Sequence, residues 1–166
     1  MSIIKKLTGA DKSSDELAQG DQWRPEIIHH GELHGVTGSC HEMVFRQDEP
    51  RMSVLVDCGL FQGDDHSSYG ELFANAAKLM VDFDLSAVKA LCVTHAHIDH
   101  IGRIPYLLMA GFNQPIYCSE ATAMLIPLML EDAIKLGITR DKRLVAGLLL
   151  KIRQLLRPTA YYQWIQ

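Results

Sequence analysis

Short apolar runs separated by polar turns dominate the chain between residues 25 and 95. Runs of about four to eight apolar residues bounded by turn-forming residues are typical of β-strands. A hairpin connection is expected at 47–50, where Gln, Asp, Glu and Pro follow one another. The pattern predicts strands at 26–30, 39–46, 52–57 and 87–94, and a shorter one at 115–118.

Apolar residues recur at helical spacing in further segments, which predicts helices at 69–80, 100–110, 119–136 and 140–156. Pro105 would remove a backbone hydrogen bond from the second helix, so a start nearer Ile104 would place it in a tolerated first turn. Pro127 predicts a kink or break in the third helix. The last helix is strongly amphipathic, and its predicted inward side carries Leu144, Leu148, Leu149, Ile152, Leu155 and Leu156.

The order of these elements predicts an α/β (α+β) architecture, in which a mixed sheet is flanked by helices. At 166 residues, of which 48% are hydrophobic, the chain has the size and composition of one ordinary domain. Residues 1–24 are polar and aperiodic, which indicates a mobile tail, and residues 25–166 are expected to form the domain.

Charge and cysteine usage limit the classes of protein that the sequence can represent. A net charge of −4 and a pI near 6.0 are atypical of a duplex-binding domain. No run reaches the roughly 18 apolar residues of a membrane span, and residues 1–22 contain no apolar signal core. The cysteines lie in or beside apolar runs and form no Cys-x-x-Cys pair, which predicts reduced core residues of a cytoplasmic protein: Cys40, Cys58, Cys92 and Cys118.

Four potential metal ligands fall directly after the predicted strand 87–94. Imidazole and carboxylate together suit zinc, and also manganese or iron. Residues two apart in extended backbone point to the same side, so His95 and His97 can hold one ion. Asp99 and His100 then lie at the start of the next helix and face a second position. The spacing therefore predicts a binuclear metal site on a strand-to-loop connection, because it does not fit the His-Glu-x-x-His helix motif.

Residues 95–100, His-Ala-His-Ile-Asp-His, resemble the signature of the metallo-β-lactamase fold. Residues 101–107, Ile-Gly-Arg-Ile-Pro-Tyr-Leu, narrow the resemblance to the β-CASP branch. These are RNA-processing nucleases that include ribonuclease J and the cleavage factors of messenger-RNA 3′-end formation. Residues 36–40, Val-Thr-Gly-Ser-Cys, and 53–63, a strand ending in Asp-Cys-Gly-Leu-Phe-Gln-Gly, are similar to two earlier motifs of that branch. The resemblance begins at about Glu26 and covers most of the chain.

This resemblance implies the N-terminal half of an αββα sandwich and a site for two zinc ions, with manganese as an alternative. The metal ligands would be His95, His97, Asp99 and His100. The catalytic residues would be Asp99, which also orients the attacking water, and Asp57, which hydrogen-bonds to a ligand histidine. The implied reaction is hydrolysis of an RNA phosphodiester by a water that the ions activate. RNA is therefore the expected partner, and no membrane partner is expected.

The family's later metal motifs and its RNA-gripping cap domain have no counterpart in the sequence. No histidine follows His100, and the later aspartates Asp132 and Asp141 do not stand at the end of a strand. Residues 157–164 resemble the family's approach to its third motif. We therefore expect an incomplete domain, produced by truncation or gene interruption, which pairs with a separate C-terminal half or with a second copy. The sheet face that lacks its partner sheet should be more exposed than usual.

Two other functions stay open at this point. The same fold also carries ester and thioester hydrolases of small molecules, although the Gly-Arg-Ile-Pro stretch at 102–105 argues against that class. A fragment without the later ligands could instead be non-catalytic. The sequence does not decide whether the chain is an enzyme, and we expect weak or absent nuclease activity from the chain alone.

The remaining candidate residues are assigned mainly to structure. The histidines outside the motif are expected to be packed or to lie at the solvent edge. Arg103 is equally suited to an RNA phosphate and to a salt bridge on a helix surface. Core or edge-strand packing is favoured over base stacking for the aromatic residues near position 160. The histidines outside the motif are His29, His30, His34, His41 and His66, and the aromatic residues are Tyr161, Tyr162 and Trp164.

Overall fold

The computed structural model describes residues 25–31, 38–46, 50–61 and 79–164. The predicted tail at 1–24 and nearly all of the predicted helix at 69–80 lie outside these residues. His34, His66 and most of the predicted hairpin connection at 47–50 also lie outside them.

The described strands form one mixed sheet whose order in space follows their order in the chain. Strands β1 to β3 pair antiparallel, and strands β3 to β6 pair parallel. The predicted mixed sheet is therefore confirmed. The strands are β1 Glu26–His29, β2 His41–Arg46, β3 Met52–Val56, β4 Val88–Cys92, β5 Ile116–Ser119 and β6 Leu156–Thr159.

The register of the parallel strands sorts side chains between the two faces of the sheet. Leu55, Leu91, Ile116 and Leu156 lie side by side across β3 to β6, and all four are buried. Burial of a leucine or isoleucine side chain contributes about 1.5–3 kcal/mol. The packing of this row therefore stabilises the contact between the sheet and the helices that cover it.

The helices of the described residues are α1 Ile98–Ile101, α2 Ile104–Met109, α3 Glu120–Gly137 and α4 Lys142–Leu155. Helix α3 contacts α1, α4, β5 and β6, so it is the central element of the helical layer. Its side chains Ile126, Leu130 and Ile134 follow one another at helical spacing and are fully buried. Their position explains why an apolar sequence of this length forms a helix here.

The predicted helices 100–110 and 119–136 differ in detail from the observed ones. The predicted helix 100–110 is divided into α1 and α2, and Gly102 and Arg103 lie between them. Pro105 occupies the first turn of α2, where no intrahelical N–H donor is required. Helix α3 continues through Pro127, so the predicted break is wrong.

The predicted helix 140–156 ends one residue early, and its last predicted residue begins a strand that the sequence pattern did not predict. Strand β6, Leu156–Thr159, pairs with β5 at the edge of the sheet. An edge strand tolerates Pro158, which has no N–H to donate. On α4, Val145 is buried while Leu144 is 59% exposed. The placement of Leu144 on the inward side is therefore wrong, and Val145 takes its place on a buried face that otherwise keeps the predicted Leu149, Ile152 and Leu155.

The opposite face of the sheet is only partly covered by the described residues. Val56, Cys92 and Tyr117 lie side by side on it, each half-buried, and Arg157 continues the row at an exposed position. Ile27 on β1 is 55% exposed on the same face. These exposures agree with the expectation that one face of the sheet is less covered than the other.

The cysteines behave as small apolar side chains. All four are free thiols, and three of them are buried. Burial raises the pKa of Cys118 to about 11 and also raises the pKa of Cys92. Both shifts favour the neutral thiol at these two positions in the metal-free chain.

No helix in the described ranges is both long and apolar enough to cross a membrane. Helix α3 has 18 residues and includes the charged side chains of Glu131, Asp132 and Lys135.

The N-terminus of α4 gives a test of the helical layer. Asp141 accepts hydrogen bonds from the N–H groups of Arg143 and Leu144, at 2.7 and 3.3 Å. We expect Asp141→Ala to lower the free energy of unfolding by about 1 kcal/mol, because these donors lose their partner. Asp132→Ala, at an exposed position inside α3, is the matched control and should change stability by less than about 0.5 kcal/mol. Urea denaturation of the three proteins measures the difference, and equal losses in both variants would contradict the capping role.

Candidate metal centre

The predicted ligands lie where β3 and β4 end side by side. These strands are parallel neighbours, so their carboxyl ends meet at one edge of the sheet. The Asp57 N–H donates to the Cys92 carbonyl at 2.9 Å. This hydrogen bond joins the residue after β3 to the last residue of β4. The segment that leads from β4 into α1 therefore starts beside the segment that follows β3.

The predicted ligands form two pairs of donor atoms. His95 Nε2 lies 3.1 Å from His97 Nδ1. His100 Nε2 lies 3.6 Å from a carboxylate oxygen of Asp99. The rings of His95 and His100 connect the pairs, since their centroids are 4.0 Å apart. The structure thus brings the four side chains together, in the two groups that their spacing predicts.

Asp57 is buried beneath these pairs, with 2% of its surface exposed. The Thr94 N–H donates to its Oδ1 at 2.8 Å, and the Thr94 hydroxyl lies 3.1 and 2.9 Å from its two oxygens. His100 Nδ1 lies 2.8 Å from Oδ2, and the Ser39 hydroxyl donates to the same oxygen at 3.3 Å. A carboxylate that accepts a hydrogen bond from one ring nitrogen fixes the direction of the other. Asp57 therefore leaves the Nε2 atom of His100 facing Asp99.

The backbone at Asp57 takes a left-handed turn, with a φ of 60°. Few residues other than glycine adopt this conformation, and aspartate is among those that tolerate it. After the turn the chain runs against α1. The Cys58 and Leu60 N–H groups donate to the carbonyls of His100 and Ile98 at 2.8 and 3.0 Å. The segment after β3 is thereby hydrogen-bonded to the helix that carries two of the predicted ligands.

Gly59 makes the closest contact between these segments. A Cβ atom added at this position would lie 1.5 Å from the carbonyl oxygen of Asp99. Any side chain would therefore push the backbone of α1 away from the end of β3. Glycine is required here for close backbone approach.

Both predicted roles of Arg103 are wrong, because its side chain is buried, with 2% exposed. Its Nε donates to the Gly59 carbonyl at 2.7 Å and its Nη2 to the His30 carbonyl at 3.3 Å. Its guanidinium carbon lies 4.5 Å from the centre of the Phe61 ring. A guanidinium in this position can reach neither an RNA phosphate nor a surface carboxylate. These contacts connect the turn between α1 and α2 to the residue after β1 and to the segment after β3.

The other described histidines make contacts that agree with the packed or solvent-edge prediction. His30 Nε2 lies 2.9 Å from a carboxylate oxygen of Glu42, and its ring stacks on Phe83 with centroids 3.7 Å apart. His29 and His41 face each other across β1 and β2, with their Nδ1 atoms 2.7 Å apart. Burial and the neighbouring His29 lower the pKa of His41.

The packing predicted for the aromatic residues near position 160 is wrong for the described chain. Tyr161 is 76% exposed, and Tyr162 and Trp164 are more exposed still. They follow β6 beyond the end of the sheet, where the register that buries Leu156 no longer applies.

Two hydroxyl groups of the site were missed by sequence reasoning. Thr94 and Ser39 both donate to Asp57. Thr94 carried a usable signal, since it is the first polar residue after the apolar strand and directly precedes the ligand motif. Ser39 lies far earlier in the chain, and only the pairing of the strands brings it to the carboxylate.

The predicted ligands are suited to hold two metal ions, each contacted by one of the two pairs of donor atoms. Among the described residues, no group of three or more His, Cys, Asp or Glu side chains is arranged to hold one ion. A tetrahedral zinc ion with ligands at about 2.1 Å places neighbouring donors about 3.4 Å apart. The observed separations of 3.1 and 3.6 Å lie on either side of that value. Imidazole and carboxylate are also the donor types that zinc takes in proteins.

Comparison with known proteins shows the family. The metallo-beta-lactamase superfamily matches residues 43–159, more than half of the chain and the part that holds both donor pairs. The chain therefore belongs to the metallo-β-lactamase superfamily, and the predicted resemblance to this fold is confirmed.

Individual relatives support the narrower resemblance. A ribonuclease of Thermus thermophilus is 38% identical over 66% of this chain and 22% of its own length. Cleavage and polyadenylation specificity factor subunit 3-II of Arabidopsis thaliana is 42% identical over 52% of this chain and 14% of its own length. Transcription termination factor FttA of Methanosarcina mazei is 31% identical over 85% of this chain and 20% of its own length. These names confirm the predicted resemblance to RNA-processing proteins, and the chain spans less than a quarter of each relative.

The contact at Gly59 provides a test of how the site is built. We expect Gly59→Ala to lower the free energy of unfolding by about 1–3 kcal/mol, because the new methyl group meets backbone that can move only with α1. Gly147→Ala is the matched control, since a Cβ atom in that part of α4 meets nothing within 4 Å. It should raise stability by about 0.5–1 kcal/mol, because alanine is the better helix former. Urea denaturation of both variants measures the contrast, and a Gly59→Ala protein of wild-type stability would contradict the close contact.

Proposed function

We propose that this chain carries one half of a binuclear metal centre, and that the complete centre hydrolyses RNA phosphodiester bonds. The observation that carries the proposal is the division of the ligands into two donor pairs over the buried Asp57. His95 and His97 would hold one ion, and Asp99 and His100 would hold the second. Zinc is the proposed metal because imidazole donors predominate, and manganese is the alternative.

Divalent ions in such a centre supply an activated water and the positive charge that stabilises the transition state of phosphodiester hydrolysis. The residues of this chain position that chemistry. Asp57 orients His100 by accepting its Nδ1–H, so that Nε2 faces the site. The carboxylate of Asp99 is 22% exposed at its side chain, so it can also accept a hydrogen bond from the attacking water and orient it.

RNA is the proposed substrate because of the relatives and of the sequence around the site. The relatives include a ribonuclease and a cleavage and polyadenylation factor. Residues 101–107 resemble the RNA-processing branch rather than the ester and thioester hydrolases, and they directly follow the predicted ligands. A net charge of −4 gives no general attraction to phosphates. We therefore propose that the grip on RNA comes from polypeptide equivalent to the unmatched length of the relatives.

The proposed setting is the cytoplasm, because the four free thiols suit a reducing compartment. The remaining metal ligands would come from polypeptide equivalent to the unmatched length of the relatives, with a second copy of this chain as the alternative. Each donor pair now has two members, and a metal ion of either kind takes at least four ligands.

Metal binding is the first test of the proposal. We expect the metal-free chain to bind zinc in a calorimetric titration, and His97→Ala to weaken binding by about tenfold or more, because one of two donors in its pair is lost. The matched control is His29→Ala, which removes an exposed histidine on β1 and should leave zinc affinity within about twofold of wild type. Equal zinc affinity in wild type and His97→Ala would contradict the site.

Cleavage of RNA is the second test. With zinc or manganese added, the chain alone should cleave single-stranded RNA weakly or not at all, because two-metal catalysis needs both ions firmly held. Cleavage should appear when the part of the Thermus ribonuclease outside the matched segment is supplied as a separate polypeptide. It should disappear again with His97→Ala.

Two outcomes would overturn the assignment. Robust cleavage by the chain alone would show that it completes a working site with ligands other than those proposed. Metal-dependent hydrolysis of a small thioester, without RNA cleavage by the complemented protein, would favour the ester-hydrolase class.

A further inference from the structure

The hydroxyl of Thr94 lies between the buried carboxylate and a predicted ligand that the carboxylate does not touch. Thr94 Oγ1 is 2.9 Å from Asp57 Oδ2 and 3.0 Å from His95 Nδ1. The same oxygen is 3.4 Å from His100 Nδ1, a longer separation than the 2.8 Å between that nitrogen and Asp57. The three side chains Asp57, Thr94 and His95 therefore form a continuous hydrogen-bonded chain.

The direction of the protons in this chain follows from donor and acceptor capacity. A carboxylate can only accept, so the single hydroxyl proton of Thr94 is donated to Asp57. The lone pairs of Thr94 Oγ1 then remain for His95, whose Nδ1 must carry the proton in that contact. A neutral imidazole has one N–H, so the Nε2 atom of His95 is left unprotonated.

The neutral His100 ring takes the same tautomer through its direct contact with Asp57. In the neutral ring the Nδ1–H donates to Asp57, which leaves Nε2 without a proton. The Nε2 atoms of both rings are the ones that take part in the donor pairs, with His97 and Asp99 respectively. One buried carboxylate thus specifies the ring tautomer of a histidine in each pair.

We propose that Thr94 is a positioning residue that relays the charge of Asp57 to His95 and so holds the His95 ring in the tautomer with Nε2 free for metal. The inference deepens the proposed function and rests on it where metal affinity is concerned. The tautomer itself is a property of the metal-free chain.

A purely structural role for this hydroxyl is a weaker explanation of the contacts. The backbone N–H of Thr94 already donates to Asp57 at 2.8 Å, so the two segments stay joined without the side chain. Removal of the hydroxyl therefore breaks the link to His95 and leaves the anchor of the strand end in place.

The test compares Thr94→Val, which keeps the shape and removes the hydroxyl, with Thr94→Ser, which keeps the hydroxyl. Nitrogen-15 NMR of the histidine rings in the metal-free full chain reports which nitrogen carries the proton. Wild type should show His95 and His100 protonated at Nδ1. Thr94→Val should move the proton of His95 toward Nε2 and leave that of His100 unchanged, while Asp57→Asn should disturb both rings.

Zinc affinity gives the second readout. Thr94→Val should bind zinc about 10–100-fold more weakly than wild type, the usual effect of losing a partner of a ligating histidine. Thr94→Ser should restore both the His95 tautomer and the affinity. A wild-type His95 protonated at Nε2 would overturn the inference without any variant, as would an unchanged His95 tautomer in Thr94→Val.

The two proposals fail in different ways. A wild-type chain that shows the expected tautomers and binds no zinc would sink the proposed function and leave the relay standing. Equal zinc affinity of the wild-type and Thr94→Val proteins would contradict the role of Thr94 and leave the proposed metal centre unaffected.

Discussion

The burial of the Asp57 carboxylate is the constraint on which the rest of the structure depends. A buried charge is costly unless hydrogen bonds replace its water. Here those bonds come from the backbone and hydroxyl of Thr94, the hydroxyl of Ser39 and the ring of His100. Their residues precede β2, follow β4 and lie in α1. The carboxylate is therefore satisfied only when these separate parts of the chain are in place, so that the sheet and the site form together.

In the proposed centre, the same arrangement would couple metal binding to folding. The donor pairs lie in one short stretch of sequence, yet their directions are set by residues that reach the site through the pairing of β2, β3 and β4. An unfolded chain has the same ligands without this alignment. A metal ion that prefers the aligned donors stabilises the folded state by mass action. Metal bound at the proposed centre would then raise the stability of the folded chain.

The sequence predicted those parts of the molecule that depend on local order. Short apolar runs predicted the strands that carry Leu55 and Leu91, and the density of potential ligands predicted the four side chains that the structure brings together. The failures share one cause, which is that the deciding partners are distant in sequence. Arg103 has the side chain of a surface residue, and only the folded turn places two carbonyls and an aromatic ring around it. Leu156 continues a helical pattern, and only a free edge of the sheet turns it into a strand.

The contact between Gly59 and the backbone of Asp99 offers a criterion for judging unfamiliar sequences. A sequence that keeps all four ligands but replaces this glycine must hold its two donor pairs at a different separation, whatever its motif suggests. A sequence that lacks some of the ligands but keeps the glycine still allows the close approach of these two segments, and its site should be tested for binding of a different ligand. Gly59 contributes no side chain to the centre, yet its contact with Asp99 determines how closely the segment after β3 approaches α1.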